Sequence, residues 1–425
     1  MPVQLLSSTS EKVVLRLELP VSGSMLQQEE RIQAVLNEAG ALFTGEVLQR
    51  FDTDGSPLIM GDVKWTSKGR EPKHYQTPYG EAEVARHVYQ TARGGATFSP
   101  LDRDARIVVS STPRFAKQVA SKYARMGAPQ VVSDLGENHG RKVAQAFVQN
   151  VCEAVGGVAQ AKEEDWAYAT PELDEAVASV ALGMDGTCML MCHDGYREAM
   201  VGNLSLYDAQ GQRLHTTYIG ATPEYGKATF KRRMEREIER IKGCYPEARV
   251  IGVADGAAEN WLFLERHTEA QVLDFYHASE YVAKVANAVF PKRAEREPWL
   301  TDRLHRLKHK QGAASRLIKE MEAFRQRPRL SKRAREELET GLTYFRNHKH
   351  QMNYARYRAR GWPIGSGVTE AACKVLVKQR LCKSGMRWKE KGAAVVLSLR
   401  SLILSTGRWQ QFWAKIDQYG FPVLA

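Results

Sequence analysis

One residue constrains this chain more than any other: an aspartate set inside an apolar run. Residues 176–191 read as a strand buried on both faces, and Asp185 interrupts them within Leu182-Gly-Met-Asp-Gly186. A carboxylate in a core strand is costly unless something answers its charge. Either Asp185 lies at the strand's end and caps the turn at Gly186, or a cation meets it there. Two further strands are predicted at 199–207 and 214–220, joined by a turn at 208–211, and a long charged helix follows over 227–242. The next strand, 249–254, runs straight into Asp255-Gly256 and a helix over 257–265. A short strand (270–275) and a helix (279–290) complete the pattern.

Three strands followed by alternating helix and strand predict an α/β fold. The order is that of an RNase H-like mixed sheet with helices on both faces. Residues 175–290 form the first part of this core and 361–425 the second, which ends in an amphipathic helix over 393–405. Residues 1–157 are read as a separate N-terminal α+β region. It holds a strand (12–19), a helix (26–42) and a hairpin zone (64–98) turned by Pro78-Tyr79-Gly80 and Gly94-Gly95. A helix then starts at Thr112-Pro113, with two short ones over 129–135 and 139–154, broken by Gly136. Three compact helices with a glycine turn resemble a helix-turn-helix DNA-binding unit, as would any small helical packing unit.

Charge separates one more segment. The chain has 61 Lys+Arg and 49 Asp+Glu, a net +12. Residues 291–360 contain 20 basic and 8 acidic residues, which leaves 41 of each elsewhere. One basic, helical stretch therefore carries the whole excess, and it reads as an all-α insertion. A solvated helical surface would explain it; a face for nucleic acid explains its locality better. Six cysteines, none in a CxxC pair, are expected to be buried free thiols. With no signal-peptide pattern and no long apolar run, the expected setting is cytoplasmic and nucleoid-associated, with no membrane partner.

Asp185 and Asp255 lie on strands expected to be adjacent, and Asp255 ends its strand where α/β sheets bind ligands. A plainer role for Asp255 is to cap the next helix. Glu370 lies in Trp362-Pro-Ile-Gly-Ser-Gly-Val-Thr-Glu-Ala-Ala-Cys-Lys374, in the first turn of a helix starting near Val368. There the helix dipole alone would favour an acid. Together the three make a hard-oxygen set suited to Mg²⁺ or Mn²⁺ rather than zinc. Two such ions, roughly 3.5–4 Å apart, would support in-line phosphoryl displacement. Glu259 and Glu390 are rival third ligands, with poorer placement.

The spaced Asp185, Asp255 and Glu370 resemble the Asp-Asp-Glu transposases. More closely, Asp255-Gly256, Asp274-Phe-Tyr-His277 with Glu280-Tyr281, and Gly365-Ser-Gly367 with Glu370 resemble the ISKra4 group of bacterial insertion sequences, relatives of the Mutator-like elements. Gly385-Met-Arg-Trp388 with Gly392-Ala393, Tyr79-Gly80 with Arg86, and Ser99-Pro-Leu-Asp102 fit the same group, so the likeness covers about 79–400. It implies an RNase H-like core, an all-α insertion between the second Asp and the Glu, and double-stranded terminal-inverted-repeat DNA as substrate. It also implies a homodimer or larger assembly. The 115 positions from Asp255 to Glu370 leave room for the insertion. One departure is that no cysteine precedes Cys152, so no N-terminal zinc element of the kind found in relatives is possible.

The same likeness sets His277 near the catalytic carboxylates, where it would contact phosphate or orient an acid; a purely structural histidine is the alternative. Arg387 and Trp388, with Lys374, Lys378 and Arg380, are the expected DNA contacts, through phosphate and base stacking. Trp388 as a core residue is the competing reading. The function expected is strand cleavage and transfer. A silent DNA-binding derivative and a nuclease of the same fold are the alternatives.

Overall fold

A computed structural model describes residues 2–328 and 330–421. It is mixed α/β, and the chain divides into two compact units. One comprises residues 1–169, 391–403 and 407–425; the other comprises 170–390 and 404–406. The segment 361–425, read as the second part of one core, is thus shared between them.

The first unit opens with a two-stranded ribbon, β1 (Val3–Ser8) and β2 (Val13–Leu17), and a long helix α1 (Met25–Gln49). Ser24 begins α1 with a reciprocal capping box to Gln27, which satisfies two otherwise orphaned backbone donors. A three-stranded antiparallel sheet follows: β3 (Leu58–Met60), β4 (Val63–Gln76) and β5 (Glu81–Thr91). The predicted turn at Pro78-Tyr79-Gly80 joins β4 to β5, and Thr77 ties it by accepting from the Gly80 amide at 3.0 Å. A short α2 (Pro100–Asp104) leads into α3 (Pro113–Tyr123), α4 (Ala128–His139) and α5 (Gln145–Ala161). Gly136 does not break α4, because its left-handed exit comes at Gly140 instead. Phe115, Val119, Val131, Leu135, Val151 and Val155 are fully buried among these three helices.

The second unit is built on β6 (Ser179–Met191), β7 (Gly195–Tyr207) and β8 (Arg213–Ala221). Helix α6 (Ala228–Cys244), β9 (Arg249–Ala254), α7 (Ala258–His267), β10 (Ala270–Leu273) and α8 (Phe275–Val289) follow. The sheet order is β10-β9-β6-β7-β8. β6, β9 and β10 are parallel, whereas β7 and β8 run antiparallel to their neighbours. The core strands β6, β7 and β9 are buried on both faces, which is why they read as continuous apolar runs rather than alternating ones. On α6, Phe230, Met234, Ile238 and Ile241 form one buried stripe. Gly202 of β7 lets it approach, since a Cβ there would strike the Met234 sulfur.

The expected helical insertion consists of α9 (Arg293–His309), α10 (Ala313–Phe324), α11 (Lys332–His348) and α12 (Tyr354–Ala359). Next comes α13 (Gly367–Ala372), continued by a π-helical stretch (Cys373–Lys378) and a turn α14 (Gln379–Leu381). Helices α15 (Glu390–Leu404) and α16 (Arg408–Tyr419) close the chain. All six cysteines are free, but only Cys152 and Cys373 are buried. Cys188 and Cys192 are exposed at the far end of the β6–β7 hairpin, past the strand's buried stretch. No described helix is long and apolar enough to cross a membrane.

Candidate active site at the carboxyl end of the sheet

The parallel pairing fixes where the acids stand. β6 and β9 are matched from Ser179↔Arg249 to Leu182↔Gly252, and β9 and β10 from Ile251↔Ala270 to Ala254↔Leu273. Carried onward at the same offsets, Asp185, Asp255 and Asp274 come level at the carboxyl ends of three adjacent strands. That edge is where open α/β sheets place their ligands.

Asp185 is half-buried. Its Oδ1 accepts the Gly186 amide at 2.7 Å, and the Cys373 thiol approaches Oδ2 at 3.8 Å. Burial pushes its pKa up, and the negative charge of Asp255 pushes the same way. The adjacent Cys373 thiol is itself pushed up to about 12, first by burial and then by Asp185. Asp255 bends back onto its own turn, where Oδ1 accepts the Ala257 amide at 3.2 Å. Behind it, the Tyr344 hydroxyl of α11 donates to the Asp255 carbonyl at 3.0 Å. Tyr344 stacks on Tyr281 of α8 with centroids 3.8 Å apart. Gly256 has φ +112°, and a Cβ there would sit 3.3 Å from Tyr344 and 3.5 Å from His348. The glycine after Asp255 is therefore favoured by its conformation, with the insertion packed close against it.

Glu370 arrives on the first turn of α13, which is held down at two points. At the first, Asn203 of β7 donates to the Thr369 hydroxyl at 2.7 Å, above Gly183, whose missing Cβ leaves room for both side chains. The second is Asp274. This carboxylate is 1% exposed, caps α8 by accepting the His277 amide at 2.8 Å, and accepts both the backbone N–H and the hydroxyl of Ser366. The Phe275 amide donates to the Ile364 carbonyl at 2.8 Å, which extends this attachment. Ser366 Oγ also lies 3.0 Å from Glu370 Oε1. A hydroxyl has one hydrogen, so Asp274 and Glu370 compete for it.

The cap at Asp274 explains a difference from the sequence reading. The strand predicted over 270–275 ends at Leu273, and the helix predicted from 279 begins at Phe275. His277 thus sits in the first turn of α8, half-buried. Among the described residues its ring makes no hydrogen bond to a carboxylate; its centre lies 6.3 Å from that of the Tyr281 ring. Glu259 is turned to Lys227 at 3.4 Å, and Glu390 is exposed at the start of α15. Lys374 and Lys378 are exposed on the π-helical stretch, and Arg387 is exposed beyond it. Arg380 is only 1% exposed, its guanidinium 5.3 Å from the Trp388 ring centre. Trp388 is half-buried and pairs with the end of β6: its amide donates to Leu190 and its indole to the Leu381 carbonyl at 2.8 Å. It extends the sheet edge rather than standing free.

Asp274, Ser366, Thr369, Asn203, Cys373 and Tyr344 were not singled out as site residues from the sequence. The rule that flagged Asp255, an acid ending a strand before a helix, applies equally to Asp274. The others become visible only once strands and helices are brought together. Near the Asp274–Phe275 corner the insertion concentrates positive charge. Lys308 lies 5.3 Å from the Phe275 ring centre, and Arg358 contacts His309 at 2.7 Å. The His309 pKa is lowered, by desolvation first and then by Arg358, His305, Lys308 and Lys310. Among the described residues no three His, Cys, Asp or Glu side chains converge as an assembled metal site. Asp185 and Asp255 share one edge, while Glu370 is drawn to Ser366. A scan against protein-family models finds none that matches this chain, and a search of curated proteins finds no significant match.

Proposed function

We propose that this chain is a DNA transposase of the Asp-Asp-Glu kind, cutting and joining strands at transposon ends. The observation that carries the reading is the level placement of Asp185 and Asp255 on adjacent parallel strands. Glu370 lies on a helix start that Asn203 fastens to β7 through Thr369 and Asp274 fastens through Ser366. Three antiparallel strands extended on one edge by two parallel ones is the order expected of an RNase H-like sheet, and it supports the same reading. So does the position of the insertion, which lies between the second aspartate and the glutamate and reaches back to Asp255 through Tyr344.

The residues fit a divalent cation. Asp185 is a half-buried carboxylate whose charge is disfavoured by burial and by its neighbour, and a hard cation is what would reverse that. Asp185, Asp255 and Glu370 would hold Mg²⁺ or Mn²⁺, in two sites, and the bound metal would supply Lewis acidity toward the attacking water or 3′-hydroxyl and the leaving oxygen. The chain's own contribution is placement. Asp274 and Asn203 hold the start of α13, and Tyr344 holds the Asp255 turn. The basic group around Lys308, Lys310 and Arg358 would draw in the phosphate backbone. A homodimer or larger assembly follows if two DNA ends must be held together.

The test is cleavage of DNA from the two flanks of the gene, where terminal repeats are expected, with Mg²⁺ or with EDTA. Wild type is expected to cut only with metal, and Glu370→Gln to lose cutting while keeping DNA binding. Cutting that survives Glu370→Gln would move the third ligand elsewhere. Binding without cutting by wild type would favour a silent DNA-binding derivative.

A further inference from the structure

A cavity lies on the face of the sheet covered by α6 and α7, with a volume of about 490 Å³. That is within the ~300–1,000 Å³ common for small-molecule sites. It adjoins the acidic edge: Glu198, on its wall, stands over Gly186, so that a Cβ there would strike its carboxyl group, and its charge is felt at Asp185.

The walls carry four acids and four bases, yet the acids are all engaged. Lys227 bridges Glu198 at 2.7 Å and Glu259 at 3.4 Å. Glu224 accepts the Thr229 amide at 2.9 Å and its hydroxyl at 3.2 Å. Glu235 lies 3.6 Å from the His267 ring. The three remaining cations, Arg197, Lys231 and Arg266, have no carboxylate within 4.0 Å among the described residues. The lining as a whole is formally neutral, four bases against four acids, but these three cations are not tied up in ion pairs and can meet an anion.

It also presents an aromatic face. Tyr225 is 86% exposed, an unusual state for so large a side chain. The Arg197 guanidinium lies 4.3 Å from its ring centre. The loop that displays it is held in an unusual shape: Gly226 has φ 73° and Lys227, fixed by its two carboxylates, φ 57°. A side chain in the left-handed region persists only where its surroundings hold it there.

An exposed ring backed by a guanidinium, beside cations without partners, matches a planar base joined to phosphate. We infer that this cavity binds an unpaired nucleotide of the substrate strand, its base stacked on Tyr225 and its phosphate met by Lys231 and Arg266. The inference rests on DNA being the substrate and names the part of the DNA that the site takes. A free nucleoside phosphate has the same chemistry, and the experiment separates the two.

The full chain is titrated in EDTA, so that cutting plays no part, with a short single-stranded oligonucleotide containing 2-aminopurine and, separately, with 2-aminopurine nucleoside 5′-monophosphate. Stacking quenches the probe. With wild type, quenching of the oligonucleotide is expected, with little binding of the monophosphate. Tyr225→Leu should abolish the quench and weaken oligonucleotide binding roughly ten- to hundred-fold. Tyr225→Trp should retain both, and Lys231→Gln with Arg266→Gln should weaken binding and flatten its salt dependence. Equal affinity for the free monophosphate would overturn the strand assignment. An unchanged quench in Tyr225→Leu, or no quench with wild type, would overturn the site. Metal-dependent cutting with either of those results leaves the transposase reading standing; a Tyr225-dependent quench without cutting leaves only the nucleotide site.

Discussion

Carboxylates meet opposite fates in two regions of the second unit. In the helical insertion they are answered. Glu339 is held below its usual range by hydrogen bonds from Arg325. Burial works against the charge of Glu320, but Arg303 and the Trp299 indole outweigh it, and Arg306 and Arg303 do the same for Asp302. Glu322 pairs with Arg346 at 2.6 Å. At the end of the sheet the sign reverses: burial raises the Asp185 pKa, and Asp255 and Glu198 add to the rise instead of relieving it. The first arrangement secures the fold. The second costs stability, and acids whose charge is opposed by burial and by a like charge are characteristic of functional sites.

The sharpest way to break this contrast is Asp185→Asn. An asparagine removes the buried charge and its repulsion with Asp255, so the metal-free variant should melt no lower than wild type. Cleavage should fall by about a thousand-fold or more, corresponding to the several kcal/mol a metal contributes at the transition state. Melting curves with and without Mg²⁺ separate the two effects, since wild type should gain stability from the ion and the variant should not. A variant that melts far lower and still cuts would place Asp185 with the structural acids of the insertion.

Asp274 tests the contrast from inside the site, because it stands level with Asp255 yet is fully hydrogen-bonded. Asp274→Ala removes the α8 cap and both bonds to Ser366. The expected cost is roughly 2–4 kcal/mol of stability. If Glu370 holds metal as proposed, activity should fall by about 10- to 100-fold, the loss typical when a residue orienting a metal ligand is removed. If activity is lost while the melting temperature holds, Asp274 contacts metal or substrate directly rather than positioning Glu370.

In the insertion, Lys310→Gln with Arg358→Gln should lower the slope of log affinity against log salt by about 0.9 for each phosphate left without its cation. The Mg²⁺-dependent rise in melting temperature should not change. An unaltered slope would mean that DNA runs elsewhere.

Much of the sheet was legible because its strands are buried on both faces. The apolar runs ending at Met191, Tyr207 and Ala254 announce themselves, and Asp185 and Asp255 stand out against them. The start of α8 was not legible, because Phe275-Tyr276 continues the apolar character of β10; the capping Asp274 is further held through its other oxygen by Ser366, 92 positions away. Helix α4 ran past Gly136 because helix propensity is a weak prior that packing overrides. The burial of Arg380 against Trp388 was equally hidden, since a basic run carries no mark of which members turn inward.

The smallest expected effect falls where the two regions meet. Tyr344 belongs to the insertion, but its hydroxyl reaches the Asp255 carbonyl and its ring lies flat on Tyr281. Tyr344→Phe keeps the stack and the buried area and removes one neutral hydrogen bond, a loss of about 0.5–1.5 kcal/mol. The Asp255 turn keeps its second fastening, the Ala257 amide, so Mg²⁺ binding should weaken only a few-fold. A double-mutant cycle with Asp255→Asn decides how the hydroxyl works. If it holds only the backbone, the two substitutions should add to within ~0.5 kcal/mol, because the asparagine leaves the carbonyl in place. Coupling above ~1 kcal/mol would mean that Tyr344 acts on the Asp255 carboxylate itself. The insertion would then share directly in the chemistry at the sheet's edge.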